Sequence, residues 1–454
     1  MRKIGKVFYG WWMVLASATL NLVTGGSFFY GFTVFFNPIR QEFGWNAAVT
    51  SIAFTFQRLE SGVLGPIAGF LVDRVGPRRL MLVGWTAIGL GFFLMSRMQG
   101  LWVFYATFVL IASGLSFGSF IVTNTAIAHW FNRKRSRALT LIYVGYGLSG
   151  LLVPLVSIAI DQWGWRLTLE RLAYIHWAIG IPLSLLFRHK PGQYGQLPDG
   201  EQPLAVGKGG DGQRKAAAAD SGAGLTARQA LRSPAFWMLG MVFLFQHLAT
   251  SAVSVHVVPF LESVGFSRTV GATVVSGITL CSLIGRFGFG FLGDFWNKRY
   301  LIAISLVLQT AGLVAFAFVT PGSGWLIVLF LLTYAPGYGG PIPLRPALQA
   351  DFFGMRSFGT IMGLMSTVSL VGGLFSPVLT GWIYDTYQSY QLAWLLLAAA
   401  TVPAVVFILL TKPPKDTGLV TPPCGSATLH YQTVPPFVSA ADRVIALVDA
   451  KAKT

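Results

Sequence analysis

The chain has 454 residues, of which 54% are hydrophobic and only 11% are charged, and its mean hydropathy is +0.62. A soluble protein carries charge on about a quarter of its residues. This composition excludes a soluble enzyme, a disordered regulator and a disulfide-stapled secreted module, so the number of membrane spans becomes the first question.

Apolar stretches long enough to cross a membrane recur along the whole chain, since a helix needs about 20 apolar residues to do so. Their continuity predicts helices, because the strands of a membrane barrel would show short alternating segments. The twelve predicted spans are residues 10–36, 47–72, 80–97, 101–128, 138–160, 171–187, 234–260, 270–292, 300–319, 324–348, 360–384 and 391–411. The sequence therefore predicts an all-α polytopic membrane protein whose first span is not cleaved as a signal peptide.

Lysine and arginine are distributed unevenly between the predicted loops. With the N-terminus inside the cell, 25 of the 33 basic residues fall in inner segments and only five fall in outer loops. Positive charge accumulates on the cytoplasmic side of membrane proteins. The pattern predicts a protein of the cell membrane with both termini in the cytoplasm, and it explains the net charge of +17 without nucleic acid binding.

The longest break between spans divides them into two sets of six. Its middle is rich in Gly, Pro and Ala, which is typical of a flexible linker. We predict a first six-helix bundle over residues 1–187, a cytoplasmic linker with a short surface helix over 188–233, a second bundle over 234–411 and a cytoplasmic tail over 412–454.

The two sets of six spans resemble each other at a nearly constant offset. Three pairs share one spacing in residue number: Pro38 and Pro259, Gly44 and Gly265, Asp73 and Asp294. The segment Gly150–Pro154 likewise pairs with Gly373–Pro377. A duplicated unit predicts two pseudo-symmetric bundles, with a substrate site between them near the middle of the membrane.

The segment Gly69–Arg79, after the second span, has the pattern Gly-x-x-x-Asp-Arg-x-Gly-x-Arg-Arg, and a degenerate copy, Gly290–Arg299, follows the eighth. With the repeat, it makes residues 8–411 resemble the major facilitator superfamily of secondary transporters. In that family the segment is a cytoplasmic latch, whose aspartate contacts basic residues and a neighbouring helix. The resemblance implies this role for Asp73, Arg74, Arg78 and Arg79 in the first half and Asp294, Lys298 and Arg299 in the second. The alternative is ordinary inner-loop charge.

Within that superfamily, the first span and the pair Gly285-Arg286 resemble the monocarboxylate transporters and the oxalate:formate antiporters. The resemblance implies that Arg286 binds a substrate carboxylate. Two positions depart from the monocarboxylate pattern, since Ser282 replaces an acid and Tyr30 replaces a lysine. Span eleven also lacks the lysine used in oxalate transport, so the exact substrate stays open.

Four charged residues lie inside predicted spans: Arg58, Glu60, Arg286 and Arg345. A charge near the middle of a bilayer costs about 3 kcal/mol on insertion scales, so such residues normally face a cavity or a partner. An arginine cannot lose its proton, and its planar guanidinium suits a carboxylate. Three cations against one acid predict an anionic substrate, bound by Arg286 and Arg58. The alternative locks either arginine to Glu60 or to backbone carbonyls.

Glu60 and His247 have two interpretations each. Glu60 is a candidate proton carrier, and the alternative is a structural ion pair. His247 in span seven either binds substrate or a proton, or is a packing residue. Arg345 lies nearer the inner end of span ten, and we expect a structural role in which it reaches toward Asp351.

Span ten contains four prolines and three glycines between Tyr334 and Pro346, which opposes a continuous α-helix. Broken helices at membrane depth line cavities or pack within protein. We therefore predict Tyr334 and Tyr338 near the substrate, and the alternative is a permanently kinked helix. The predicted aromatic wall of the cavity consists of Phe28, Phe29, Tyr30 and Tyr146.

Together these features predict a secondary transporter that moves a small organic anion, a monocarboxylate, by alternating access, with proton coupling or by exchange. We expect a monomer in the lipid bilayer, with no cofactor, no metal and no enzymatic activity. Two alternatives stay open. An exporter of cationic or neutral drug-like compounds would need acids in the cavity, where only Glu60 is available, and a non-transporting receptor would bind ligand without flux.

Overall fold

A computed structural model describes residues 8–29, 31–45, 47–200 and 224–414 of the chain. These ranges are helical, and the β-type pairing within them is one isolated bridge between Gly224 and Gly354. Tyr30, residues 201–223 of the linker and the tail after residue 414 lie outside the described residues. The predicted all-α class is confirmed.

Eight α-helices lie in the described part of the first half. They are α1 (Tyr9–Thr24), α2 (Phe32–Phe43), α3 (Ala47–Val75), α4 (Pro77–Ser96), α5 (Leu101–Gly118), α6 (Phe120–Trp130), α7 (Arg135–Leu148) and α8 (Val153–Leu185). A five-residue π-helical segment joins α1 to the region before α2. The turn between α3 and α4 is sharp because Gly76 has a φ of 87° and Pro77 opens the next helix.

Eight helices also form the end of the linker and the second half. They are α9 (Ala227–Arg232), α10 (Pro234–Ser263), α11 (Arg268–Leu292), α12 (Lys298–Ala317), α13 (Trp325–Gly339), α14 (Pro341–Phe353), α15 (Phe358–Tyr387) and α16 (Gln391–Leu410). The short helix α9 begins with a reciprocal cap between Thr226 and Gln229. Gly44 and Gly265, which are equivalent in the repeat, both have positive φ, 67° and 99°.

Ten segments of the described residues are long and apolar enough to cross a membrane. One of them, Arg135–Leu185, has 51 residues, too many for a single crossing of about 30 Å. It bends at Gly164, where φ is 75° and ψ is 160°, so it contains two spans. The 29-residue helix α3 is also long enough but carries Arg58 and Glu60. These segments make twelve spans in two sets of six, in agreement with the prediction.

Among the interrupted spans, the fourth and the tenth are broken at positions that are equivalent in the repeat. Ser119 separates α5 from α6, and Gly340 separates α13 from α14 at the offset that also relates Asp73 to Asp294. The backbone at Ser119 leaves the helical region, with φ −126° and ψ −129°, whereas Gly340 keeps helical angles of −57° and −49°. Span ten is thus divided as its prolines and glycines predict, but it bends at Gly340 and does not unwind.

The halves pack against each other along two seams, α3 against α15 and α7 against α11. Small residues permit the close approach. A Cβ atom at Gly69 would lie 2.0 Å from the carbonyl oxygen of Gly359, and one at Gly290 would lie 1.7 Å from the Thr140 hydroxyl. Ala128 of the first half packs with Phe358 and other apolar residues of the second. These contacts close the halves at the end that carries Asp73 and Asp294, which we call the latch end.

The α3–α15 seam predicts a large difference between two glycine substitutions. Gly69→Ala places a methyl group against the Gly359 backbone, and overpacking of this kind costs about 1–3 kcal/mol. Gly150→Ala is the matched control, because a Cβ atom there has no neighbour within 4 Å. We expect a lower thermal unfolding midpoint in detergent for Gly69→Ala and an unchanged midpoint for Gly150→Ala. Equal midpoints for the two variants would contradict the described packing.

Candidate functional site: a cavity of the second half and the latch

Asp73, at the end of α3, binds the first turn of α15 in the other half. Its carboxylate accepts hydrogen bonds from the backbone N–H groups of Gly359 (3.0 Å) and Thr360 (2.9 Å) and from the Thr360 hydroxyl (2.8 Å). The N-terminus of a helix favours negative charge because its first N–H groups lack helical partners. Asp73 therefore caps α15 across the boundary between the halves.

Asp294, just after α11, makes the equivalent contact in the opposite direction. Its carboxylate accepts a hydrogen bond from the backbone N–H of Ser136 (2.9 Å), in the first turn of α7. It also forms a 2.8 Å ion pair with Arg137. Burial raises the pKa of Asp294 above its usual range, while the Ser136 N–H and the Arg137 charge oppose that rise. Each half thus caps one helix of the other.

A further charge cluster at the latch end surrounds Asp351 of α14. Lys298 bonds it at 2.7 Å, and the buried Arg135 of the first half lies 3.4 Å away. Arg299, in contrast, donates to the Ile408 and Leu409 carbonyl oxygens at the end of α16. Lys298 therefore reaches an inter-half cluster, and Arg299 stabilises a helix end within its own half.

The three arginines of the first-half motif are placed differently from its aspartate. Arg74 stacks on Phe70 of its own helix, with 4.4 Å between the guanidinium carbon and the ring centre. Arg78 and Arg79 are exposed, and neither forms an ion pair within the described ranges. In this structure the latch contact of the motif comes from Asp73.

Arg286 lies deep in α11 and is only 2% exposed. Its Nη1 donates to the Tyr143 carbonyl oxygen of α7 at 3.3 Å, and its buried Nε has no hydrogen-bond partner. No described carboxylate forms an ion pair with it. A guanidinium in such surroundings keeps its charge but has only one weak carbonyl contact in place of solvent.

Arg345 of α14 lines a small cavity of about 40 Å³ together with Gln246, His247, Thr250, Tyr338 and Ile342. Its Nη2 donates to the Ser369 hydroxyl at 2.8 Å, and its guanidinium carbon lies 4.1 Å from the centre of the Phe243 ring. The Ser369 hydroxyl and the Phe243 ring are both neutral groups. The expected approach to Asp351 is wrong, because Asp351 is bonded to Lys298 and Arg345 points into the cavity.

Tyr143 connects the two arginines to the first half. It interacts electrostatically with both Arg286 and Arg345. Its hydroxyl accepts a 2.7 Å hydrogen bond from the Asn124 amide, and the other amide atom, Oδ1, is buried without a partner. Asn124 and Arg345 are related by the offset of the repeat, and they follow the equivalent interruptions at Ser119 and Gly340. The polar cluster is therefore built from matching positions of the repeat.

The other residues predicted for the site differ in whether they line the cavity. Tyr338 and His247 line the cavity. Tyr334, one turn before Tyr338, is 2% exposed and stacks on Phe330 in the apolar core of the second half, so it does not line the cavity. Tyr146 packs against an aromatic cluster of the first half that includes Phe29 and Phe120.

Four predicted residues have other outcomes. Phe28 is buried against Phe32 and Phe108 in the core of the first half. Tyr30 lies outside the described residues, as does the side chain of Arg58. Glu60 is half-buried in α3 and interacts with neighbours, so it is not an isolated charge.

Sequence reasoning missed Asn124 and Tyr143, although one signal was present. The offset of the repeat relates Arg345 to Asn124 as it relates Asp294 to Asp73. Applying the repeat to every intramembrane charge would have singled out Asn124. Within the described part of the chain, no group of three His, Cys, Asp or Glu side chains is placed to hold a metal ion.

The family model of the Major Facilitator Superfamily matches residues 16–340 and 249–423. The chain belongs to this superfamily. It is therefore a multi-pass membrane transporter and not an enzyme.

Two curated relatives indicate the branch. The chain is 24% identical over 384 residues to the oxalate:formate antiporter of Oxalobacter formigenes, covering 83% of this chain and 86% of the relative. It is 25% identical over 419 residues to monocarboxylate transporter 13 of Bos taurus, and the match covers 89% of this chain and 90% of the relative. The protein is thus a transporter of the oxalate:formate antiporter and monocarboxylate transporter type.

Solved structures of the superfamily share the fold. The fucose:proton symporter of E. coli has a TM-score of 0.66 at 13% identity, over 88% of this chain and 98% of that one. The proton:xylose symporter bound to 6-bromo-6-deoxy-D-glucose has a TM-score of 0.69 at 13% identity, over 88% of this chain and 95% of that one. At this identity the likeness concerns the fold alone.

Proposed function

We propose that the protein is a secondary active transporter of a small organic anion, a monocarboxylate, that works by alternating access. The observation that carries the proposal is the pair of intramembrane guanidiniums, Arg286 and Arg345, whose described partners are all neutral. Leaving a buried charge uncompensated costs several kcal/mol. A carboxylate that enters between the halves removes this cost, so the site favours anions.

The surroundings of the two arginines suit a small ligand with one charged end. Arg286 offers an unpaired Nε, and Arg345 lies beside the polar side chains of Gln246 and Thr250. A guanidinium binds a carboxylate through two parallel hydrogen bonds. The present cavity of about 40 Å³ holds only a few water molecules, so the halves must separate before an organic anion enters.

The names of the relatives support the same class of substrate. One is an oxalate:formate antiporter and another a monocarboxylate transporter. Ser282 replaces the acid expected one turn before Arg286, which removes a potential internal counterion and leaves Arg286 for the ligand. In our proposal Arg58 of α3 and Tyr146 of α7 complete the first-half side of the site.

The latch supplies the alternating step of the proposal. The caps formed by Asp73 and Asp294 hold the halves together at the latch end, which we assign to the cytoplasm from the distribution of basic residues. Release of both caps would let the halves rock about the central site and open this end. Rocking of two bundles around a fixed site is the general mode of such transporters.

The arginine assignment predicts graded losses of transport. In proteoliposomes, Arg286→Gln should reduce uptake of the preferred anion about 100-fold, since it removes a charge and two strong hydrogen bonds. Arg286→Lys should reduce uptake about tenfold, because lysine keeps the positive charge but lacks the planar guanidinium. The control is Arg171→Gln, an exposed arginine stacked on Trp163, which should transport normally.

The substrate panel for this assay is lactate, pyruvate, oxalate, formate and several amino acids, each with and without a pH gradient. Gel-filtration profiles establish that every variant is folded. Normal uptake of every anion by folded Arg286→Gln protein would exclude Arg286 from the site. Binding of an anion without any flux in the parent protein would instead favour a receptor.

Proton coupling through Glu60 gives a separate prediction. If Glu60 carries the proton, uptake by the parent protein rises as the outside pH is lowered from 7.5 to 5.5, whereas Glu60→Gln transports at a rate that does not change with pH. Glu262→Gln, an exposed acid near the end of α10, is the control and should keep the pH dependence. A Glu60→Gln variant with the parent's pH dependence would remove Glu60 from coupling and favour anion exchange.

A further inference from the structure

The described ends of the linker contact the two loops that lead into the helices capped by the latch aspartates. The loop between α6 and α7 precedes the helix capped by Asp294, and the loop between α14 and α15 precedes the helix capped by Asp73. The first of these loops is held by the start of the linker and the second by its end. This arrangement is separate from the substrate cavity and from the motif residues.

At the start of the linker, Asp199 binds three successive backbone N–H groups of the α6–α7 loop. Its carboxylate accepts hydrogen bonds from Asn132 (3.0 Å), Arg133 (2.7 Å) and Lys134 (3.1 Å). Asp199 has a φ of 60°, a conformation that few residues other than glycine adopt. Only two residues after Lys134, the N–H of Ser136 is bonded to Asp294. Two carboxylates therefore hold consecutive segments, Asp199 the loop from the same half and Asp294 the first turn of α7 from the other half.

At the end of the linker, Gly224 and Leu225 pair with the α14–α15 loop. The Leu225 N–H donates to the Phe353 carbonyl oxygen at 2.8 Å, and Gly224 forms the isolated bridge with Gly354. Gly224 has a φ of 129°, and a Cβ atom there would lie 2.5 Å from the Phe353 oxygen. Leu225 is anchored in the core of the second half. Five residues after Gly354, the N–H of Gly359 is bonded to Asp73.

We propose that the two ends of the linker are positioning elements of the latch: Asp199 holds the loop before the helix that Asp294 caps, and Gly224 with Leu225 holds the loop before the helix that Asp73 caps. A loop fixed in advance loses less conformational entropy when the opposite half caps it, so the latch closes more readily. Anything that withdraws either linker end from its loop then favours the open latch. The proposal rests on the alternating access proposed above.

The test measures the opening of the latch end without any substrate. A single reporter cysteine is introduced as Ala128→Cys, a position that is 1% exposed and packs against Phe358 and Met362 of the other half. Cys281 and Cys424 are replaced by serine in this background. The rate of labelling by a soluble maleimide then reports how often the halves separate at the latch end.

Asp199→Asn keeps the tolerance for positive φ but removes the charge and one acceptor oxygen. We expect labelling of the reporter to accelerate by about fivefold, the effect of roughly 1 kcal/mol. Asp161→Asn, an exposed acid in α8, is the matched control and should label like the parent. Asp294→Asn should also accelerate labelling, and adding Asp199→Asn to it should have little further effect, because both act through one loop.

A folded Asp199→Asn protein that labels at the parent rate, while Asp294→Asn labels faster, would overturn the proposal and leave alternating access intact. Unchanged labelling in both variants would overturn the latch itself. If Asp199→Asn fails to fold, Gly224→Ala tests the other end of the linker, with Asp73→Asn as its partner and the same expected acceleration. Parent-rate labelling of folded Gly224→Ala would likewise overturn the proposal.

Discussion

The structure depends on a charge that cannot leave the membrane interior. The guanidinium of Arg286 is almost fully buried and has one neutral carbonyl as its described hydrogen-bond acceptor. Arg345 is better satisfied, by the Ser369 hydroxyl and the Phe243 ring, but it too has no described carboxylate. In a low-dielectric interior the attraction of such groups for an anion is large. In our proposal the site therefore selects ligands by the sign of their charge before their shape matters.

The internal repeat connects this site to its latch. One and the same offset relates Asp73 to Asp294 and Asn124 to Arg345. At the latch the repeat is used symmetrically, so that each half caps one helix of the other. Near the cavity the two equivalent positions differ, because Asn124 carries an amide and Arg345 carries a guanidinium. Symmetry thus gives the two equivalent caps of the latch end, and in our proposal the departure from it gives the anion a guanidinium on the side of the second half.

Much of the fold could be predicted because its causes are local. The hydropathy of each span, the positive φ at Gly44 and Gly265, and the prolines and glycines of span ten all act within a few residues. The interruption at Ser119 was not predicted, since the one glycine directly before it, Gly118, is not enough by itself to break a helix. Its equivalence to Gly340 became visible only when the helices were placed.

The site was harder to predict because burial and direction depend on which helices meet. Tyr334 and Tyr338 look alike in the sequence, yet one stacks in the core and the other lines the cavity. Arg299 resembles a latch residue by its position in the sequence, but its guanidinium donates to carbonyl oxygens at the end of α16 in its own half. The role of Asp199 depends on contacts between segments 65 to 67 residues apart, which no local pattern encodes.

The most direct test of the central claim is an experimental structure of the protein with a transported anion bound. The account predicts that the carboxylate lies between the halves, with an oxygen about 3 Å from the Arg286 guanidinium. A bound anion elsewhere in the molecule, with Arg286 still bonded only to the Tyr143 carbonyl oxygen, would contradict it.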